Sequence, residues 1–385
     1  MQNMGFGLGE LVHWYDISGC VLDCPGCFRQ EGLRVSSLKR RKELARILVD
    51  NGVKQVNSGN GEPLLVPGLE EVLAILHEAG VKTEIHTNAV LLDQRKINQL
   101  APVTDVIALP IDSLRPEVQQ RIRGNGFMPV FDRFQELVKQ IQGAGMQVGY
   151  HTVFTAINQG DIQDLYSLLS QNDFKYWRIY EFNKDLPMQM LGRRFLRLSK
   201  KDQNGILGRR IDERAQEIER FAASPRDMYL GELDPRYNGD IECLFAYFIL
   251  KEREMQRHRD KRVQFVGVHD PNNPPYIFLD GQGDVTTYMW FGGGKRPLIG
   301  NLFKDGFSKV KARLVKLEKQ QMGYCARAEE DFIEMESGRP LWARSWEGNF
   351  WDEELEEGFD KRHLDRFLEL ADLYAKRQRR LERAA

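Results

Sequence analysis

Three of the five cysteines in this chain of 385 residues lie in one short segment, SGCVLDCPGCFRQEG. They are Cys20, Cys24 and Cys27, which gives the spacing C-x3-C-x2-C. A structural zinc site uses four protein ligands, commonly as two separated pairs, and the sequence has no second pair. A ferredoxin with two clusters needs many more cysteines. Three thiolates can instead hold three irons of a [4Fe–4S] cluster and leave the fourth iron open, and an open metal position indicates chemistry.

Six strand-like segments in the first half of the chain could position this loop. They are short, rich in apolar or β-branched residues, and bounded by turn-forming residues: Leu11–Ile17, Val53–Ser58, Val81–Thr87, Val103–Ile111, Gln147–Phe154 and Lys175–Phe182. Amphipathic helices separate them, so the pattern predicts a parallel sheet covered by crossover helices. Six units are too few for an eight-stranded barrel. We therefore expect an α/β fold, a partial (β/α)6 barrel of the TIM type, with its site at the carboxyl ends of the strands.

The pattern changes after Asn183, which divides the chain into a barrel core, residues 1–185, and a C-terminal extension, residues 186–385. We expect the extension to cap the barrel and not to form an independent module. It combines helices with a β-hairpin near residues 276–290, where DGQGD forms the turn. The helices are expected at 193–222, 243–258, 302–320 and 352–384.

The composition excludes several classes of protein. A formal net charge of -1 argues against a broad surface for nucleic acid. No apolar run approaches the roughly 20 residues that span a bilayer, so we expect no membrane association. The N-terminal segment MQNMGFGLGE has neither a basic part nor an apolar one, so we expect no export signal. Clustered cysteines without a disulfide framework indicate a reducing compartment, and we expect a cytoplasmic protein.

The cysteine spacing and its place after the first strand resemble the radical SAM superfamily. Members carry C-x3-C-x2-C in this loop of a partial (β/α)6 barrel, and the open iron binds S-adenosylmethionine (SAM). The resemblance implies that Cys20, Cys24 and Cys27 hold a [4Fe–4S] cluster, which cleaves SAM to methionine and a 5′-deoxyadenosyl radical. One departure is Gly26, because many members have an aromatic residue just before the third cysteine. The segment GCVLDCPGCF also looks like the loop in activases of anaerobic ribonucleotide reductase.

Two later segments resemble further motifs of this family. SGNGEPLL, after the second strand, is similar to the Gly-Gly-Glu-Pro motif, with Asn60 in place of the first glycine. Glycines there let backbone carbonyls approach the methionyl ammonium group of SAM. The alternative for this segment is an ordinary loop before a helix. EIHTNAVLL, at the end of the third strand, is similar to a frequent Thr-Asn-Gly element, with Ala89 in place of glycine.

Other strand ends supply the remaining SAM neighbours that the resemblance implies. Asp112 and Ser113 follow the fourth strand, although either could instead cap the next helix. The sixth strand is where the family places the adenine, through backbone contacts. In full, the implied SAM-binding residues are Gly59, Asn60, Gly61, Glu62, Asn88, Asp112, Ser113, Thr152, Asn158, Ile179 and Phe182.

Three interpretations of the substrate stay open, of which the first is a small-molecule or nucleotide-like substrate. FGGGKRP could bind a phosphate through backbone N–H groups, Lys295 and Arg296, or it could be a flexible loop after the hairpin. His151 and Arg178 could also contact this substrate. The alternatives for these two are a core or rim histidine and a surface pair between Arg178 and Glu181.

The second interpretation is a peptide or protein substrate, including a glycyl-radical partner. It would dock on the aromatic segment Trp342–Trp351, unless those aromatic residues are part of a core. The third is a non-enzymatic iron–sulfur protein. Only Cys243 and Cys325 remain outside the cysteine cluster, so we expect neither an auxiliary cluster nor a methyl transfer that needs two cysteines. The family resemblance also implies a reductant such as flavodoxin or ferredoxin.

Overall fold

The computed structural model describes residues 11–27, 29, 32–182, 196–222, 262–266, 277–287 and 298–316, together with Pro187, Leu191 and Arg194. Several predictions fall outside these residues. They are the helices at 243–258 and 352–384, the isolated Cys243 and Cys325, the phosphate-binding candidates Lys295 and Arg296, and the aromatic segment Trp342–Trp351.

The secondary structure alternates strands and helices through the first half of the chain. The strands are β1 (Leu11–Ile17), β2 (Gln55–Asn60), β3 (Lys82–His86), β4 (Val106–Pro110), β5 (Gln147–Phe154), β6 (Tyr176–Glu181), β7 (Val263–Val266), β8 (Ile277–Asp280), β9 (Asp284–Thr287) and β10 (Leu298–Asn301). The helices are α1 (Leu38–Asp50), α2 (Leu69–Glu78), α3 (Gln94–Leu100), α4 (Pro116–Arg123), α5 (Met128–Asp132), α6 (Phe134–Gly143), α7 (Ile162–Leu169), α8 (Lys200–Gln203), α9 (Ile206–Ala222), α10 (Leu302–Asp305) and α11 (307–316).

These strands form one sheet in the order β10-β9-β8-β1-β2-β3-β4-β5-β6-β7. Strands β1 to β6 pair in sequence and in parallel. Strand β7 extends the parallel sheet beside β6, and β8 extends it beside β1. Among the described residues β1 and β6 do not pair with each other, so the barrel is open. The expected α/β fold with a partial barrel is confirmed.

The apolar core lies between the sheet and its helices. All five residues of β4 are buried, because helices cover one face and the barrel interior lies on the other. Helix α6 shows the other side of this contact, since its buried residues are Phe134, Leu137, Val138 and Ile141, at the predicted i, i+3, i+4 and i+7 positions. Burial of these apolar faces holds each crossover helix against the sheet, which keeps the strand ends at one edge.

The structure corrects the sequence-based picture after residue 185 in two places. The helix predicted over 193–222 is interrupted before α8, at Leu198 and Ser199, and again between α8 and α9, at Asn204 and Gly205. The helix predicted over 302–320 is interrupted at Gly306, whose φ of 79° is left-handed and ends a helix at low cost. Strand β7 was not predicted, because its four residues are too short for a periodic signal.

The predicted hairpin is present as β8 and β9, which pair antiparallel. Its turn is held by the carboxylate of Asp280, because Oδ1 accepts the backbone N–H of Gln282 at 2.8 Å and of Asp284 at 2.9 Å. The same β8 also pairs with β1, so the hairpin continues the barrel sheet. In the part of the chain that the structure describes, no helix is long and apolar enough to cross a membrane.

Candidate functional site

The three clustered cysteines lie in the loop after β1 as half-buried free thiols. Burial raises the pKa of Cys24 to about 12; the charge of Arg123 opposes that rise, and Cys27 and Cys20 add to it. Burial also raises the pKa of Cys20, with a further contribution from Cys27. The thiols therefore lie within electrostatic reach of one another, as ligands of one group must. Thiolate is also the ligand that iron–sulfur clusters require, so these residues fit the cluster.

The turn in SGNGEPLL packs against the chain that enters the cysteine loop. The N–H of Gly61 donates to the carbonyl of Ile17 at 3.0 Å, and the N–H of Glu62 donates to the carbonyl of Gly19 at 2.8 Å. Asn60 has a left-handed φ of 85°, which asparagine tolerates better than most residues, and its Nδ2 donates to the carbonyl of Ile17 at 2.9 Å. The turn and the cysteine loop therefore form one unit at the carboxyl ends of β1 and β2.

The carboxylate of Glu62 connects this unit to the end of β3. It is fully buried, and its Oε1 accepts from the hydroxyl of Thr87 at 2.7 Å and from the N–H of Leu64 at 3.1 Å. Its Oε2 accepts from the N–H of Asn88 at 2.8 Å. Burial raises the pKa of Glu62, and the hydrogen bonds from Thr87 and Asn88 oppose that rise. The side chain of Asn88 in turn contacts the cysteine loop, because its Nδ2 lies 3.3 Å from the Sγ of Cys20.

Gly26 departs from the family pattern because another side chain occupies the space beside it. A Cβ at Gly26 would lie 2.7 Å from the Cε2 of Phe182 and 3.3 Å from the Cδ2 of Phe221. Phe182 follows β6, and its ring meets that of Phe221 edge to face with the centroids 5.7 Å apart. An aromatic residue thus lies against this part of the loop, but it comes from the sixth strand end.

Helix α9 holds the cysteine loop from the C-terminal side. The guanidinium of Arg214 donates to the carbonyl of Cys24, donates to that of Pro25 at 3.4 Å, and pairs with Asp23. These three contacts bridge almost 200 positions of sequence, and nothing in the sequence pattern predicts them. Arg214 fixes the backbone of the segment that carries the cysteines.

The residues after β4 are buried and bonded within the protein. Asp112 is 0% exposed and accepts from Nε and Nη2 of Arg123 at 2.5 and 2.9 Å. Ser113 is likewise buried, and its hydroxyl donates to Asp161. Helix α4 begins at Pro116, so the alternative that either residue caps this helix is wrong. Contact of Asp112 and Ser113 with SAM stays a prediction.

The predicted SAM neighbours on β5, in the loop after it and on β6 also hold the strand ends together. Thr152 donates to the carbonyl of Ile111, and Asn158 donates to the carbonyl of Asp112 at 2.8 Å. Ile179 is buried in β6, where it pairs with Thr152. These contacts place the predicted set around one end of the barrel, and their contact with SAM stays a prediction.

The barrel interior contains a hydrogen-bonded cluster, here called the interior polar cluster: Glu84, His86, His151, Tyr176 and Arg178. The Oε1 of Glu84 bonds to the hydroxyl of Tyr176, to Nε2 of His86 and, at 3.3 Å, to Nη1 of Arg178. The hydroxyl of Tyr176 also lies 3.3 Å from Nε2 of His151. Arg178 has a side chain only 15% exposed, and its contact with a substrate stays a prediction.

Charges within the interior polar cluster determine which groups are ionised. Burial by itself would raise the pKa of Glu84, but the charge of Arg178 and the bonds from His86 and Tyr176 lower it to about 2. The pKa of His151 is lowered by burial first, and then by the charges of His86 and Arg178. At neutral pH the interior polar cluster therefore contains the ionised carboxylate of Glu84, paired with the guanidinium of Arg178, and the neutral imidazole of His151.

The ligand atoms of Glu84, His86 and His151 lie within 4.8 Å of one another, a set that could hold a divalent cation. Two contacts argue against that use. The Oε1 of Glu84 already accepts from Tyr176, and it lies 3.3 Å from a guanidinium nitrogen of Arg178. A cation there would face the positive charge of Arg178 at short range. We therefore interpret the interior polar cluster as a hydrogen-bonded network.

The sequence analysis did not single out five residues of this region, which are Glu84, His86, Tyr176, Arg123 and Arg214. The first three had a signal in the sequence. Glu84 and His86 alternate along β3, as Tyr176 does with Arg178 on β6, and polar residues at every second position of a strand indicate a polar interior face. Arg123 and Arg214 had no such signal, because each lies on a helix whose charged residues look like a solvated face.

Comparison with known proteins identifies the family. The model of the radical SAM superfamily matches residues 14–169, from β1 to the end of α7. This part of the chain is a radical SAM domain. The match begins just before the cysteine loop and includes the SGNGEPLL turn, which are the two parts of the site that the structure joins. The match to this family implies a [4Fe–4S] cluster and SAM as the cofactors.

Curated proteins that are similar to this chain have several activities. A GTP 3′,8-cyclase of Peptoclostridium acidaminophilum is 26% identical over 180 residues, which cover 43% of this chain and 54% of the relative. A PqqA peptide cyclase of Ruegeria pomeroyi is 27% identical over 161 residues, which cover 40% of this chain and 41% of the relative. The chain thus spans about half the length of these relatives or less.

Solved structures support the fold. Native anSMEcpe with bound AdoMet and Cp18Cys peptide superposes with a TM-score of 0.60 at 14% identity, covering 95% of this chain and 98% of that one. Streptococcus suis SuiB bound to the precursor peptide SuiA superposes with a TM-score of 0.53 at 18% identity, covering 80% and 66%. At this identity the likeness shows the fold alone.

Proposed function

We propose that the protein is a radical SAM enzyme in which Cys20, Cys24 and Cys27 hold the cluster and the SGNGEPLL turn binds the methionine part of SAM. The observation that carries this proposal is the pair of backbone hydrogen bonds from Gly61 and Glu62 to the chain entering the cysteine loop, at 3.0 and 2.8 Å. When bound, these cofactors supply reductive cleavage of SAM to a 5′-deoxyadenosyl radical, which removes a hydrogen atom from the substrate.

The residues of the chain position the cofactors and exclude water. Glu62 connects the turn to the end of β3 through Thr87 and Asn88, so the ends of β2 and β3 stay at a fixed distance from each other. Phe182 and Phe221 give the cysteine loop an apolar wall, which keeps solvent from that side. The proposed SAM neighbours from β4 to β6 have their polar groups bonded within the protein, which makes the rim of the site rigid.

We assign a small-molecule or nucleotide-like substrate to the barrel interior, where His151 and Arg178 would contact it. The interior polar cluster supports this assignment, because polar groups inside a barrel can bind a polar ligand that enters from the carboxyl ends of the strands. The likeness to a GTP 3′,8-cyclase supports a nucleotide-like substrate. Lys295 and Arg296 stay candidates for a phosphate group.

The alternative substrate is a peptide or protein. Its support is the likeness to a PqqA peptide cyclase, which covers nearly the same share of this chain. In either case the enzyme needs a reductant such as flavodoxin or ferredoxin. We also propose a cytoplasmic location, because a cluster held by thiolates needs cysteines that stay reduced.

Anaerobic reconstitution with iron and sulfide tests the proposed function. Wild-type protein incubated with SAM and dithionite is expected to form 5′-deoxyadenosine, measured by liquid chromatography and mass spectrometry. The Cys24→Ala variant is expected to form none, because one cluster ligand is lost. The control is Cys325→Ala, which removes a thiol outside the C-x3-C-x2-C segment. Wild-type protein with an intact cluster and no 5′-deoxyadenosine would contradict the proposal.

A second arm of the same assay separates the two substrate classes. Nucleotides and short peptides are added separately, and 5′-deoxyadenosine formation above the level without substrate marks the class that binds productively. Stimulation by peptides alone would replace the nucleotide-like assignment with the alternative.

A further inference from the structure

The side chain of Asn88 has contacts that its predicted role in SAM binding does not explain. Its Nδ2 lies 3.3 Å from the Sγ of Cys20, within hydrogen-bond distance for a sulfur acceptor. The backbone N–H of Leu22 approaches the same Sγ at 3.4 Å. Cys20 is therefore the cluster ligand on which an amide side chain and a backbone N–H both converge.

The orientation of the Asn88 amide follows from its neighbours. Its Oδ1 accepts the backbone N–H of Val90 at 3.0 Å, and its own backbone N–H is held by Glu62 at 2.8 Å. A flipped amide would place the NH2 group against the N–H of Val90, which is donor against donor, and would place Oδ1 against sulfur. The hydrogen-bond network therefore requires the NH2 group to face Cys20.

We propose that Asn88 is a positioning residue that donates a hydrogen bond to the Cys20 thiolate and raises the reduction potential of the cluster. This inference rests on the proposed function, in which Cys20 is a cluster ligand. Reduction adds negative charge that the thiolate sulfurs share, so a donor to sulfur stabilises the reduced cluster more than the oxidised one.

Two substitutions distinguish the loss of the hydrogen bond to Cys20 from the loss of the hydrogen bond with the N–H of Val90. Asn88→Asp keeps an oxygen for the N–H of Val90 but loses the NH2 group and adds a negative charge. Asn88→Ala loses both. We expect both variants to have a more negative midpoint potential than the wild type, with the equilibrium constant for reduction about tenfold lower, which is ~59 mV for one electron. The control Asn98→Ala, at a residue bonded to Gln94 on the surface of α3, is expected to match the wild type.

The measurement is a redox titration of reconstituted protein, followed by the electron paramagnetic resonance signal of the reduced cluster, without SAM. Iron content is measured first and must match the wild type. A shift of the midpoint potential in Asn88→Ala with none in Asn88→Asp would overturn the proposal. The lost hydrogen bond between Asn88 and the N–H of Val90 would then explain the effect. Failure of both variants to hold iron would overturn it in favour of a structural role.

The same titration separates this inference from the proposed function and from SAM binding. Wild-type protein that assembles no cluster would contradict the proposed function itself. Unchanged potentials in both Asn88 variants, with weaker SAM binding measured by calorimetry, would overturn only the inference and leave Asn88 as a SAM ligand.

Discussion

Gly61 has no room for a side chain, because the chain entering the cysteine loop passes directly over it. A Cβ there would lie 2.2 Å from the carbonyl oxygen of Gly19 and 2.7 Å from that of Ile17. Both contacts are with backbone, which cannot move aside as a flexible side chain can. A glycine at this residue is therefore a condition for the two backbone hydrogen bonds that join the turn to the loop.

Gly61→Ala tests this close approach. We expect the free energy of unfolding to fall by about 2 kcal/mol, because the loop must shift to relieve the contact, and we expect less iron to be retained after reconstitution. Gly59→Ala is the matched control, because a Cβ there meets its nearest atom at 3.5 Å, an ordinary contact distance. Urea unfolding and iron analysis measure both effects. Equal stability of the two variants would contradict the argument.

Several single residues of the site could be predicted from the sequence, and others could not. The three cysteines and the SGNGEPLL turn are local patterns, so their spacing along the chain contains the information. The reason for Gly26 lies in Phe182, more than 150 positions away, and the partner of Asp112 is a helical arginine. Contacts of this kind depend on how the elements pack, which a single sequence does not encode in any local pattern.

Helix α9 contributes to the site as an element and not through one residue. Ile218 and Phe221 on one face are buried, and the carbonyl of Phe221 accepts the N–H of Ala156 at 2.8 Å after β5. On the same face, one turn before Ile218, Arg214 bonds to the cysteine loop. The charged, amphipathic pattern predicted a helix here, but amphipathicity does not say which surface a helix meets. The helix therefore couples the barrel to the loop.

Arg214→Ala tests this coupling. Loss of the guanidinium frees the carbonyls of Cys24 and Pro25, so we expect the cluster to be lost roughly tenfold more readily, as when groups that orient metal ligands are removed. Iron retention against a chelator measures the effect. Arg210→Ala is the control, because Arg210 is exposed on the same helix. If both variants retained iron as the wild type does, α9 would not stabilise the cysteine loop.

At the scale of the whole molecule, the parallel sheet determines what the barrel interior can contain. Alternation within βα units predicted β1 to β6 and their order, because crossover connections place successive strands side by side. It did not predict that β7 and β8 extend both edges, since neither strand has a crossover helix in the predicted pattern. The interior polar cluster likewise forms only when β3, β5 and β6 close around one space. Gly149 leaves room for the ring of Tyr176 in this cluster, because a Cβ at residue 149 would lie 2.5 Å from that ring.

Glu84→Gln tests how the buried charge pair of this interior contributes to the stability of the whole barrel. At pH 7 the substitution removes the buried charge of Glu84 that attracts Arg178, and we expect the free energy of unfolding to fall by about 3 kcal/mol. The folded-state pKa of Glu84 is about 2, below its ordinary value of 4.5. Its contribution is therefore fully present above about pH 4.5 and is lost as the pH falls towards 2.

The difference between Glu84→Gln and the wild type should accordingly shrink with acidification. Urea unfolding at pH 7 and near pH 3, with proteins that carry no iron–sulfur cluster, measures this difference in the free energy of unfolding. Glu78→Gln is the matched control, because Glu78 is an exposed carboxylate at the end of α2, and its substitution should change little at either pH. A Glu84→Gln protein as stable as Glu78→Gln at pH 7, or a difference that stays constant on acidification, would show that the Glu84–Arg178 pair does not stabilise the barrel.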